Sequence, residues 1–319
     1  MTSLSLLRRT MIELHWEQRL AALPIGDTLG ARGSFETKGS AARWLNEVTG
    51  DKIMRRQWPL IACFCVLSGG SFAQQFPVAV DLKLVIAVDV SYSMDSEEQR
   101  VQREGYVNAF GSPEVVRAVL GGPRGKTAVT FVEWGGSAVQ VVPWTLIDGP
   151  QSAAQFAEEL RRQPIRRISF TSISNALAFA RELIRTNRFS ASRHVIDVSG
   201  DGPNNAGAPV PVARDAAIAD GITVDGLPIM LTTEPGPAAI HDLDAYYEAC
   251  VIGGDGAFLV KVTDVSQFAE AIRNKLVIEI SGFKLSELHE RQLAAAFVQH
   301  PQPYNCLVGE ESQERAIGK

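Results

Sequence analysis

The sequence predicts an α/β fold: a doubly wound, mostly parallel sheet with one antiparallel edge strand and helices on both faces. Three observations point to it. From residue 82 onward, short runs rich in Val and Ile alternate with segments of helical period. The run LKLVIAVDV at 82–90 is apolar at seven of its nine positions and reads as a central strand buried on both faces of a parallel sheet. Two later runs, TAVTFVEWGG at 127–136 and SAVQVVPWTL at 137–146, are joined by too few residues for a parallel crossover, so they form a hairpin.

The elements follow in order. After the strand at 82–90 a helix covers 97–110, and SPEVVRAVLG at 112–121 reads as a second, short helix with Pro113 near its start. Beyond the hairpin comes a helix at 152–162. The segment SISNALAFARELIRT at 172–186 places Ile173, Leu177, Ala180 and Ile184 on one face, an amphipathic helix. RHVIDVSG at 193–200 is a strand, followed by a helix at about 209–220 and a strand at 223–230. A helix around Asp244 to Cys250, a strand at 257–262 and a helix at 265–280 close the unit. From Ser281 the chain reads as an appendage, with an amphipathic helix at 285–299 and a polar tail.

The N-terminal side carries a processing signal. MRRQWPLIACFCVLSGGSFAQQ, from Met54, has two arginines, an apolar run from Trp58 to Leu67, and small residues ending at Ala73, the order of parts in a secretory signal peptide. Its apolar run falls short of the roughly 20 residues that span a bilayer. Residues 54–73 therefore read as a signal peptide cleaved after Ala73, and residues 1–53 as a misassigned upstream extension. The alternative is a true cytoplasmic segment ahead of a signal anchor or a buried strand. The protein is expected to be exported, periplasmic or secreted, touching a membrane only through that segment if it stays uncleaved.

The whole chain has 319 residues, 45% hydrophobic, with a net charge of -5. Losing residues 1–73 removes nine basic and six acidic side chains and leaves a net charge of -8. No basic footprint remains for a phosphate backbone, which excludes nucleic acid as an expected partner. Cys250 and Cys306 stay in the mature chain. An even pair in an exported protein is compatible with a disulfide, and equally with two buried thiols.

In open parallel sheets ligands sit beyond the carboxyl ends of the strands. Three features converge there. Asp89, Ser91 and Ser93 follow the first strand at i, i+2 and i+4. Thr171 stands just before the helix at 172–186. Asp201 follows the strand at 193–200 in SGDGPNN, where Gly200 and Gly202 permit a tight turn. Three hydroxyls and two carboxylates suit a hard divalent cation, which prefers oxygen ligands. Two facing carboxylates would raise each other's pKa unless a cation lay between them. A serine capping the next helix explains one hydroxyl but not the set of five.

With DVSYS, TSISNAL and SGDG in this order, the chain resembles von Willebrand factor A domains with a metal-ion-dependent adhesion site, over approximately residues 80–280. Through FVEWGG at 131–136 and YYEACVIGGDGAFLVKV at 246–262 it also resembles a poorly characterised bacterial group of exported A-domain proteins. The resemblance implies that Ser91, Ser93 and Thr171 ligate the ion directly, with Asp89 and Asp201 often acting through water. It implies Mg2+ (or Mn2+ or Ca2+) as cofactor, and a partner protein whose Asp or Glu fills an open coordination position. Phe170 departs from the pattern, standing where many members have glycine. The function expected is thus an exported, metal-dependent binding module of adhesion type and not an enzyme. The alternatives are a metal-dependent hydrolase, or a structural ion with the partner surface elsewhere. No general base, nucleophile or Gly-x-Ser-x-Gly elbow accompanies the hydroxyl-rich set.

Overall fold

A computed structural model describes residues 76–94, 96–231, 240–282 and 304–318. The expected extension at 1–53, the signal peptide at 54–73 and the helix at 285–299 lie outside the described residues. No described helix is long and apolar enough to cross a membrane.

The sheet has five strands: β1 (Val78–Asp89), β2 (Thr127–Trp134), β3 (Ala138–Ile147), β4 (Phe189–Gly200) and β5 (Thr223–Pro228). Their order is β3-β2-β1-β4-β5. β1 runs parallel to β2 and β4, β4 runs parallel to β5, and β3 lies antiparallel to β2 at the edge. The expected hairpin is therefore present. Its pairing shifts register twice, between Val129 and Val132, and the exposed Pro143 lies in that irregular part of β3.

Period two along β1 divides the core. Leu82, Leu84, Ile86 and Val88 point to one face, where they pack with Tyr106, Phe110, Val115, Phe156, Phe268 and Ile272. These come from α1 (Ser96–Phe110), α2 (Pro113–Leu120), α3 (Pro150–Arg162) and α7 (Phe268–Ser281), the last entered through a 3₁₀ turn at Val265–Gln267. Val85 and Ala87 point to the other face, against Ile173, Leu177, Ala180, Ala217 and Tyr247. That layer is α4 (Ile173–Arg185), α5 (Val210–Ala219) and α6 (Leu243–Tyr246), which runs on into a π-helical turn at Tyr247–Val251. A mainly apolar strand whose alternate side chains enter opposite cores is what a sheet covered on both sides requires.

Two expectations need correction. The segment at 257–262 is not a full strand: it meets β5 only through the isolated bridges Gly226 to Leu259 and Ile229 to Val262. Gly226 N–H donates to Phe258 O (3.0 Å) and Gly226 O accepts from Val260 N–H (3.0 Å). The next donor on that side of β5 belongs to residue 228, a proline, which has no N–H to give, so the ladder is interrupted there. The polar tail, in turn, contains α8 (Val308–Ile317), and Cys306 just before it is joined to Cys250 by a disulfide. Of the two readings open for these cysteines, the disulfide is the one observed.

Candidate metal centre

β1 is the strand from which the chain crosses to β2 on one side and has β4 on the other, so a crevice opens beyond the carboxyl ends of β1 and β4. Asp89 ends β1, and Asp201 follows Gly200 at the end of β4. The turn after β1 is shaped by Asp89 itself, whose Oδ1 accepts the Ser91 backbone N–H at 2.7 Å. That bond presents the next two serines to the crevice. The Ser91 and Ser93 hydroxyls lie 2.6 Å apart, and Ser93 Oγ donates to Asp201 Oδ1 at 3.1 Å. Four of the five expected residues are thereby joined by hydrogen bonds.

Thr171 is brought to the same crevice by its backbone. Tyr92 N–H donates to Ile168 O (3.0 Å) and Ile168 N–H donates to Val90 O (3.0 Å), which lays the 168–171 loop along the serine loop. From the other side Asn205 clasps the threonine: Thr171 N–H donates to Asn205 Oδ1 (2.8 Å), and Asn205 N–H donates to Thr171 O (2.8 Å). Ser172 Oγ then caps α4, accepting from Asn175 N–H at 3.3 Å. Among the described residues no hydrogen bond joins the Thr171 hydroxyl to the other four. Phe170 holds φ at 63°, in the left-handed region, the non-glycine residue among the described ones that does so. Its side chain is exposed beside the crevice, as is that of Tyr92.

The electrostatics are those of a site built for positive charge. Asp89, Asp201, Ser91 and Thr171 are all buried. Burial pushes the Asp89 carboxyl up to about 6, against the opposing effect of its hydrogen bonds to Ser91. Burial and the charge of Asp89 together push Asp201 well above the usual carboxylate range. Asp89 Oδ2 is buried with no hydrogen-bond partner. Two carboxylates kept from water, one oxygen left unsatisfied, and hydroxyls grouped around them fit a hard divalent cation, which would supply what each lacks.

Sequence reasoning missed several supports. Gly200 and Gly202 do not serve as left-handed turn residues. Gly200 is instead required by close approach, since a Cβ there would lie 2.8 Å from Tyr247 Oη, 3.1 Å from Asp89 Oδ2 and 3.1 Å from Trp134 Cη2. Asn204 and Asn205 were visible only as polar loop residues in SGDGPNN. Asn204 is buried: its N–H donates to Tyr246 Oη (3.1 Å) and its Oδ1 accepts from Ser174 N–H (3.2 Å). Glu133, at the end of β2, is also fully buried, paired with Arg103 and with Arg166 at 3.3 Å, and so borders no surface.

Strand order, the antiparallel edge and the three converging loops together define a doubly wound α/β domain with an oxygen-lined crevice at the carboxyl ends of its central strands. Residues 79–284, more than half of the chain, match the family model described as "Protein of unknown function (DUF1194)", and the chain belongs to that family. No curated protein matches it.

Among solved structures it is similar to proximal thread matrix protein 1 from the mussel byssus, at 17% identity over 64% of this chain and 49% of that one (TM-score 0.45). A further structure of the mussel protein, with a zinc-occupied MIDAS motif, is similar at 17% identity over 64% of this chain and 49% of that one (TM-score 0.44). A von Willebrand factor type A protein from Catenulispora acidiphila is similar at 19% identity over 63% and 43% (TM-score 0.44). The chain thus spans about half the length, or less, of these proteins.

Proposed function

We propose that the protein is an exported, divalent-metal-dependent binding module of adhesion type. The carrying observation is the hydrogen-bonded cluster of buried Asp89, Ser91 and Asp201 with half-buried Ser93, with Thr171 on the adjoining loop and Asp89 Oδ2 left without a partner. In this reading Ser91, Ser93 and Thr171 offer neutral oxygens, while Asp89 and Asp201 hold the charge. All-oxygen donors favour Mg2+, with Mn2+ and Ca2+ as the other hard candidates. A bound cation supplies an electrophilic position that an Asp or Glu of a partner protein can complete.

Export is supported by the signal-like segment at 54–73 and by the Cys250–Cys306 disulfide, since such bonds persist in oxidising compartments. The partner in this reading is an unidentified protein with an accessible carboxylate, met in the periplasm or outside the cell. A second reading, an ion that only pins loops, is favoured by one observation: the centre stitches three loops together.

Two measurements test the proposal. Calorimetry with Mg2+ and Mn2+ is expected to show one site, lost in the Ser91→Ala, Ser93→Ala double variant; heats of binding unchanged in that variant would refute the ligand set. Capture of an envelope protein that needs the metal and is lost in Asp201→Ala separates adhesion from loop pinning, because a pinning ion gives no metal-dependent capture.

A further inference from the structure

The Asp201 loop does not stand alone; it is wedged between the Thr171 loop and the chain's C-terminal helix. Asn204 Nδ2 donates to Glu310 Oε1 of α8 at 2.8 Å. Gly309, buried in α8, packs so closely that a Cβ there would overlap the Asn204 carbonyl oxygen and press on Pro203. Tyr304, ahead of the helix, meets the Tyr246 ring edge-on at 5.9 Å. Cys306 is bonded to Cys250 in the π-helical turn that follows α6. That turn also carries Tyr247, whose hydroxyl sits against Gly200 and behind Asp89. One brace thus reaches both sides of the Asp201 loop.

We infer that residues 304–318, tethered by the Cys250–Cys306 disulfide, act as a strut that positions the Asp201–Asn205 loop, and through Asn205 the Thr171 loop, for metal binding. Asn204, Glu310 and Gly309 are positioning residues: none is a ligand, and each acts through the backbone that carries Asp201 and Asn205. Groups that orient metal ligands from behind typically change metal affinity by about 10–100-fold when removed. The inference rests on the metal-binding reading above.

The test uses Mn2+ alone as probe, and two variants of the full chain. Cys306→Ser frees the strut from its tether, and Glu310→Ala cuts the Asn204 contact while leaving the disulfide intact. Each is expected to bind Mn2+ on the order of tenfold more weakly than the unaltered protein, with far-ultraviolet circular dichroism unchanged. Affinity within twofold of the unaltered protein in both variants overturns the inference. Hydrogen exchange at the Thr171 and Asn205 amides gives a readout that needs no metal. Both amides are expected to exchange at least about tenfold faster in Glu310→Ala, and unchanged protection would count equally against the strut. If the unaltered protein takes up no Mn2+, the metal reading falls, and the exchange rates alone decide whether the strut orders these loops.

Discussion

Asp89 places a carboxyl in the dry end of the sheet, and the cost of that placement can be measured. Its folded-state pKa near 6 lies above the unfolded value of 3.8. A raised carboxyl pKa gives stability that is fully present below the unfolded value and is lost as pH rises through the folded one. In a chelator the protein should therefore become more stable as pH falls from 7.5 to 5, by about 1.4 kcal/mol for this group, with the rest of its roughly 3 kcal/mol regained only as pH falls on towards 3.8. Thermal melts of Asp89→Asn should show a flatter pH profile, retaining the part due to Asp225, whose carboxyl burial also pushes up to about 6. Saturating Mg2+ should remove the Asp89 part in the unaltered protein, because the ion competes with the proton. Phe170 gives a second test. A left-handed non-glycine residue costs roughly 1–2 kcal/mol, so Phe170→Gly should raise stability by up to about 1 kcal/mol after glycine's greater unfolded freedom is counted, as denaturant titration would register. Asp89, Ser91, Ser93 and Asp201 were legible as neighbours because each lies at or just beyond the end of a buried strand, and Thr171 because it stands just before an amphipathic helix. Asn204 and Asn205 were not, because their partners Ser174, Thr171, Tyr246 and Glu310 are remote in the chain.

Most helices and strands were legible in their order and in the face each buries. Apolar periodicity is a local property, and in α4 and the central stretches of β1 and β4 it is strong enough to read. It fails at 257–262, where composition favours a strand but the neighbour's Pro228 withholds a donor. It did reveal α7 as a helix, but not that the buried face of that helix carries charge. Lys275 Nζ pairs with Asp197 Oδ1 of β4 at 2.6 Å and with Glu279, all three buried. Burial works against the Lys275 charge, yet Asp197, Glu279 and Asp225 hold its pKa above the usual lysine range. One ammonium thus serves three carboxylates between the helix and the sheet. Lys275→Met should cost about 3–5 kcal/mol at pH 7, the scale for leaving buried charge uncompensated. The loss should shrink at pH 5, because burial raises the Glu279 carboxyl well above the usual range and Asp225 to about 6, so both take up protons there, and urea denaturation at the two pH values would show whether it does.

At the scale of the whole molecule the alternation of elements was readable, but closure by the C-terminal segment was not, since a polar stretch gives no sign of where it docks until its cysteine is seen bonded. The sheet also has two margins. Along β5, residues 253–262 cover the open side through scattered bridges. Along β3 nothing described pairs with the strand's outer side, and there the register slips twice beside an exposed proline. Straight, unpaired strands recruit copies of themselves, whereas bulges and prolines spoil the template. Pro143→Val should leave the monomer folded but make it associate with rising concentration, as light scattering would detect. The side of the sheet is thereby kept from pairing with a second copy of the chain, and the crevice at the sheet's end is left as the face open to other molecules.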